Sequence, residues 1–430
     1  MTAPTEPTGK IGPQPWLTAP ETRAVIKALQ AGGGEARFVG GCVRDALLKR
    51  PVVDVDIAVT DKPDKVIGLL ERAGVKAIPT GIDHGTVTAV IGGKSFQITT
   101  LRIDVETDGR RAKVAFTDDW EADAARRDFT INTMSCTLDG DVYDYFGGLD
   151  DLGRGRVRFV GLSRERIEED ALRILRFFRM NAAYGRPPPD TAALVACRAL
   201  AHKLSGLSGE RIGYEMSRIL LGPHPADAVQ LMRGELVLDR ILPEAGDVGV
   251  LRQLSWIEDT AIKINPVTPD FIRRLAALLD ADGEGAKTVA ARLVLSKKQT
   301  ARLAAIVDPA FMITPDMDET SRLRALRRLG SGLFMDIALV VWSAERTLSP
   351  RRPAERTRSW IALLEEAEAG MPPPFPLTGR DAMALGAPSG PRIGGLLSAV
   401  EDWWEEGSCK ADRDACLAKL KEIAETSPSA

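Results

Sequence analysis

The spacing of apolar and polar positions changes once along the chain, near residue 154. Before that point, short alternating or β-branched runs predict strands at 36–40, 54–59, 86–91, 95–101 and 133–138. Helical spacing between them predicts helices at 20–31, 42–49, 63–73 and 119–127. Beyond 154 nearly every window is helical. The clearest is 163–185, where Ile167, Ala171, Ile174, Leu175, Phe178 and Ala182 make one apolar face, Ser163 reads as its N-cap and Gly185 as its stop. Ser208 and Gly222 bracket another helix. Residues 1–19 follow neither period and read as disordered, 101–120 as a long polar loop, 144–152 as a tight turn and 350–358 as a basic loop. The fold class is therefore α+β: a mixed sheet with helices, then an all-helical remainder.

Composition narrows the classes. A chain of 430 residues, 44% apolar and 27% charged, has ample core for several domains. A net charge of −3 argues against a wholly basic nucleic-acid-coating protein, though not against a local basic surface. Five cysteines, at 42, 136, 197, 409 and 416, lack metal-type spacing and read as inert thiols of a reducing compartment. With neither a signal-like apolar stretch nor a run near 18 apolar residues, the expected location is cytoplasmic, with no membrane contact.

Candidate chemistry concentrates in residues 40–56, GGCVRDALLKRPVVDVD. On a strand, Asp54 and Asp56 project to one face, roughly 6–7 Å apart. Two carboxylates on one face suit a hard cation such as Mg²⁺, and a solvent-facing DxD at a strand edge would read the same way. Gly40-Gly41 stands between a strand and a helix, where bare backbone lets phosphate approach. Arg44 lies in the first helical turn, where a cation opposes the helix dipole and so suggests a ligand. Neither the dinucleotide fingerprint nor a P-loop is present. On strand 95–101 the position able to supply a third acid is Gln97, a poor Mg²⁺ ligand.

Two further stretches add to this. In RRDFTIN, Arg127 can meet phosphate or ribose and Asp128 can accept from a ribose hydroxyl. In EDALRILRFFR, Asp170 and Arg173 are three apart and would be neighbours on a helix. An intrahelical ion pair is one reading. The other is base recognition: cytosine and adenine both set an exocyclic amine beside a ring-nitrogen acceptor, which an Asp/Arg pair matches, whereas uracil and guanine reverse the pattern. Arg176 and Arg179 continue the row, with Arg179 turned away from Asp170. Residues 154–186 hold nine arginines, no lysine and four acids, a local charge of +5 that suits phosphates.

In order, GGCVRD with DVD, RRDFTIN, DYFGGLDDL, EDALRILRFFR and SGERIGYE closely resemble the motifs of class II tRNA nucleotidyltransferases, the CCA-adding enzymes; the related bacterial poly(A) polymerases share most of them. The resemblance covers about 36–222. It implies a polymerase-beta-type nucleotidyltransferase head (20–152), a neck carrying a nucleotide template (153–222), a helical body (223–350) and an RNA-binding tail (351–430). It also implies Asp54 and Asp56 as catalytic Mg²⁺ ligands. Gly40, Gly41, Arg44, Arg127, Asp128, Arg176 and Arg179 would contact nucleotide, and Asp170 with Arg173 would select C and A. The implied reaction adds CCA to tRNA from CTP and ATP. A poly(A) polymerase acting on general RNA ends, or a tRNA-binding protein with a weakened site, are the alternatives. The family usually has Glu where Gln97 stands, which puts a third carboxylate in doubt.

Overall fold

The computed structural model describes residues 6–108, 111–261, 267–349, 353–370, 373–385 and 391–426. The alternating runs of the first part build one eight-stranded sheet. Its strands are β1 (Gly9–Lys10), β2 (Ala36–Val39), β3 (Asp56–Val59), β4 (Lys76–Gly81), β5 (Thr86–Ile91) and β6 (Lys94–Thr100). A hairpin, β7 (Arg102–Asp108) and β8 (Arg111–Phe116), stands apart, and β9 (Ser135–Cys136) and β10 (Asp141–Tyr143) complete the sheet. The order is β1-β10-β9-β2-β3-β6-β5-β4. Only β3 and β6 run parallel, with Asp56 opposite Gln97; the other pairs are antiparallel. The central strands bury Phe38, Ile57, Val87, Phe96 and Ile98, the half of each strand that the alternation assigns to the core.

Helices of this part are α1 (Pro15–Thr18), α2 (Pro20–Gln30), α3 (Gly41–Leu47), α4 (Pro63–Arg72), α5 (Trp120–Ala125) and α6 (Gly148–Arg154). They are followed by α7 (Ser163–Glu169), α8 (Arg173–Tyr184), α9 (Thr191–Leu200) and α10 (Gly209–Leu220). Proline at the first turn starts α2 and α4, where its missing N–H is not needed. Helix α8 is fixed by aromatic packing: Phe129 lies 4.8 Å from Phe159, which stacks 5.9 Å from Phe177. All three rings are fully buried. On the same helix Arg173, Arg176 and Arg179 line a cavity.

Several expectations need correction. The expected tight turn 144–152 enters a helix, α6, from Gly148. Residues 8–18 are ordered: Gly9–Lys10 pair with β10, Ile11 and Leu17 are buried, and Trp16 packs edge-on against Phe38 at 4.9 Å; residues 1–5 lie outside the described residues. The expected loop 101–120 is mostly the β7–β8 hairpin, its tip at 109–110 outside the described residues. Strand β3 starts at Asp56, so Asp54 precedes it. The expected helix 163–185 is two helices broken at Asp170 (φ −153, ψ 107), and Leu162, not Ser163, is the N-cap.

The chain divides into two compact units, residues up to 223 with 227–243, and residues 224–226 with 244 onward. The second unit is helical. Its interior holds a paired charge cluster, Arg273 on Asp336 (2.9 Å) and Arg274 on Glu258 (2.6 Å), and the stacked rings of Trp342 and Trp360 at 5.9 Å. Helix Glu319–Leu348 kinks at Gly330 (φ 74). The expected basic loop 350–358 is helical from Ala354; residues 350–352 lie outside the described residues. Among the described residues no helix is long and apolar enough to cross a membrane.

Candidate active site

In the first unit, α3, the approach to β3, the 126–132 segment, the α7–α8 break, α8 and α10 surround a cavity of about 810 Å³. Gly40, Gly41, Arg44, Asp54, Asp56, Arg127, Asp128, Asp170, Arg173, Arg176 and Arg179 all line it. Gln97 does not line it; it lies exposed on the strand beside Asp56.

Only Gly40 of the glycine pair requires its residue type. Its φ of +71 is a left-handed conformation, and a Cβ there would sit 3.2 Å from Arg127 Nη1. Arg44 is buried, and its fork donates through Nε and Nη2 to Asp45 (3.0 Å each) and through Nη1 to Asn132 Oδ1 (2.6 Å). Its face lies 4.0 Å from the Tyr184 ring, whose hydroxyl donates to Asp45 Oδ1 at 2.9 Å. Tyr184, at the end of α8, thereby ties that helix to α3.

Charge pairing divides this cavity. Arg126 and Arg127 share Asp123, Arg173 meets Glu169 at 2.5 Å, Arg179 meets Glu215 at 2.7 Å and Arg211 meets Asp170 at 2.7 Å. By contrast, the carboxylates of Asp54 and Asp56 accept no hydrogen bond from any described residue, the Cys42 thiol reaching only the Asp56 carbonyl (3.8 Å). Asp54 is exposed and Asp56 half-buried. Burial pushes the Asp56 carboxyl above the ordinary carboxylate range; Arg127 pulls it back and Asp54 pushes it further up. Two acids facing a cavity without protein donors fit a divalent cation. Among the described residues no group of three acids, histidines or cysteines could hold a metal alone, so remaining ligands would come from substrate oxygens, as is usual for Mg²⁺.

Asp128 is a brace as much as a contact. Its Oδ1 accepts from Phe129 N (2.9 Å) and Asn132 Nδ2 (3.0 Å), and its Oδ2 accepts twice from Arg176, Nε at 2.8 Å. Burial alone would raise its pKa, but Arg176 and these hydrogen bonds outweigh that and hold it below the usual range. A depressed folded pKa stabilises above the unfolded value near 3.9 and is lost as pH falls through the folded value. Asp128→Asn should therefore lower stability at pH 7 by about 2 kcal/mol, since it uncouples a partly buried pair. In urea melts at pH 7, 5, 4 and 3 the gap to wild type should close below about pH 4; a gap independent of pH would show that the carboxylate charge is not what stabilises this junction.

The Asp170–Arg173 pairing expected on one helix is not formed, because the chain is extended at Asp170. Asp170 Oδ1 accepts from Leu172 N at 3.1 Å and Oδ2 from Arg211. Arg173 donates through Nη1 to Glu169 and the Arg166 carbonyl and through Nη2 to the Arg126 carbonyl. Both side chains still line the cavity, each anchored by a third party. Sequence reasoning had passed over these anchors (Arg211, Glu169) and also Asp45, Asp123, Asn132, Tyr184 and Glu215. SGERIGYE is the one sequence signal for Arg211 and Glu215.

Residues 36–158 match the family described as "Poly A polymerase head domain", and 189–247 match "Probable RNA and SrmB- binding site of polymerase A". The "CCA tRNA nucleotidyltransferase 1, mitochondrial" of Danio rerio is 36% identical over 396 residues, 90% of this chain and 87% of that protein. Its Homo sapiens counterpart is 34% identical, over 90% and 86%. The chain belongs to the CCA tRNA nucleotidyltransferase family. Among solved members, the Bacillus stearothermophilus CCA-adding enzyme in complex with CTP superposes with a TM-score of 0.75 at 26% identity, covering 96% of this chain and 99% of that one. The Thermotoga maritima CCA-adding enzyme complexed with tRNA shares the fold (TM-score 0.60, 19% identity, 93% and 94% covered). The mixed sheet with its helices is thus the polymerase-beta-type head of a CCA tRNA nucleotidyltransferase, and helices make up the rest of the chain.

Proposed function

We propose that this protein adds C, C and A to the 3′ ends of tRNA from CTP and ATP, releasing pyrophosphate. The observation that carries the reading is the shared cavity: two donor-free carboxylates, a row of arginines and a separately anchored Asp/Arg reader all face one space. The RNA 3′-hydroxyl attacks the α-phosphorus in line, and the bond to pyrophosphate breaks. Asp54 and Asp56 would hold Mg²⁺, which when bound would supply Lewis-acid stabilisation of the reacting oxygens. Gly40 and Gly41 leave bare backbone for the triphosphate, and Arg44, Arg127, Arg176 and Arg179 offset its charge. Asp128 fixes Arg176, and its remaining acceptor capacity is available to a ribose hydroxyl. Asp170 accepts from the exocyclic amine of C or A, and Arg173 donates to the ring nitrogen. The helical body and tail, 223–430, hold the tRNA by shape and backbone contacts. We place the reaction in the cytoplasm, since five buried free cysteines suit a reducing compartment; the two vertebrate relatives are named as mitochondrial.

The test uses tRNA transcripts ending before CCA and after CC, and an unrelated RNA, each with Mg²⁺, CTP and ATP, followed by sequencing of the 3′ ends. Addition that stops at CCA, on tRNA alone, is expected. Long A tracts on either RNA would reassign the protein as a poly(A) polymerase, and no Mg²⁺-dependent incorporation would leave a tRNA-binding protein.

A further inference from the structure

One face of α10 carries Arg211, Glu215 and Arg218, at steps of four and three, so all three fall within about 60° of one another. Arg211, Arg218 and Gly222 line the cavity. The first two members of the stripe are spent on internal ion pairs, Arg211 on Asp170 and Glu215 on Arg179. Arg218 is different. Eight arginines line the cavity, and seven of them meet a carboxylate. Among the described residues, Arg218 alone meets none: its Nη1 donates to the Tyr214 hydroxyl at 2.8 Å, and its guanidinium lies 5.6 Å from the centre of that ring. Both side chains are exposed, Tyr214 at 58%.

An uncompensated cation at the cavity edge beside an exposed aromatic ring is the combination that grips a single-stranded nucleic acid: the cation takes a backbone phosphate and the ring takes a base face. A free nucleotide already has its phosphate side at Gly40–Arg44 and its base side at Asp170–Arg173 under the reading above, on which this step rests. We propose that Arg218 and Tyr214 form the subsite for the acceptor end of the RNA, with Arg218 on a backbone phosphate just upstream of the 3′ terminus and Tyr214 stacked on a base. Both residues fall within 189–247, the segment that matches the family of probable RNA-binding sites.

The experiment measures binding of a fluorescein-labelled tRNA transcript lacking CCA, by anisotropy without nucleotide, alongside steady-state extension by CTP and ATP. Arg218→Ala should weaken tRNA binding about tenfold, as expected for losing a charge-assisted hydrogen bond to phosphate. It should raise KM for tRNA in parallel, leave KM for CTP unchanged and reduce the slope of log affinity against log salt by about 0.7. Arg218→Lys should keep most of the salt slope. Tyr214→Ala should weaken binding about tenfold while Tyr214→Phe, which keeps the ring, stays near wild type. Because both residues are exposed, thermal melts of the variants should match wild type. Unchanged tRNA binding in Arg218→Ala, or a loss that appears in KM for CTP instead, would overturn the subsite. If wild type fails to extend the transcript while Arg218→Ala still weakens its binding, the reaction assigned above fails and the RNA subsite stands.

Discussion

Asp56→Asn should lose about 10³-fold in nucleotide incorporation without losing stability, because under the proposed metal role it removes one charged ligand and transition-state charge stabilisation of that order. The stability half of the expectation comes from the sign of the Asp56 shift. Burial raises its folded pKa above the unfolded value. At pH above that raised value the ionised carboxylate weighs against the fold, and the penalty disappears as pH falls through it. A neutral, isosteric amide relieves the same penalty at pH 7, so the melting temperature should hold or rise. Asp54 is exposed and its carboxylate accepts no hydrogen bond among the described residues, so Asp54→Asn should lose activity with no change in melting. The measurements are single-turnover extension of a tRNA ending in CC and a thermal melt of each variant. Turnover near wild type in Asp56→Asn would remove the metal assignment. Lost activity together with lost stability would show instead that the carboxylate is structural.

The sequence exposed the two ends of the cavity and hid what joins them. Gly40, Arg44, Asp54 and Asp56 were legible because they lie within seventeen residues, at a strand–helix junction whose type follows from local periodicity. The break at Asp170 was not. The apolar face of Ile167, Ala171, Ile174, Leu175 and Phe178 runs through it without a Pro or Gly, and tertiary contacts override the period: Asp170 caps Leu172 N with one oxygen and holds Arg211 of α10 with the other. The β7–β8 hairpin was obscured because its alternating Ile103, Val105 and Thr107 stand among charges that read as loop. Strand β1, two residues long, falls below any periodic signal. Ion pairs posed the same problem on a larger scale. Arg173, Arg176 and Arg179 stood out as a local excess of positive charge, yet their partners Glu169, Asp128 and Glu215 come from three different segments. Which arginines remain free for phosphate is therefore a property of the fold.

That pairing also shapes the second large effect, a loss of base choice in Arg173→Ala. Had Asp170 and Arg173 paired with each other, an incoming base would have to break the pair before being read. In the structure each is held by something else. Arg173 uses three of its five N–H groups on Glu169 and the carbonyls of Arg166 and Arg126, leaving Nε–H and one Nη2–H to donate. Asp170 uses one site on each oxygen, for Leu172 N and Arg211, leaving two lone-pair sites to accept. In the proposed template role the pair is thus oriented before the base arrives and keeps free the donor and acceptor that cytosine and adenine need. Removing the guanidinium deletes the donor that favours a ring-nitrogen acceptor over a ring N–H, a discrimination worth about 1–3 kcal/mol, so the preference for CTP over UTP and for ATP over GTP should fall by roughly 10- to 100-fold. Affinity for the triphosphate should change less, since Arg127, Arg176 and Arg179 keep their own partners. Paired measurements of kcat/KM for the four nucleotides, on transcripts ending before C and after CC, separate the two effects. Unchanged selectivity with a uniform loss for all four would make Arg173 a phosphate contact and end the template reading. Relaxed selectivity in Arg173→Ala and also in Glu169→Ala, which frees but does not remove the guanidinium, would show that base choice depends on holding the reader still as well as on having it.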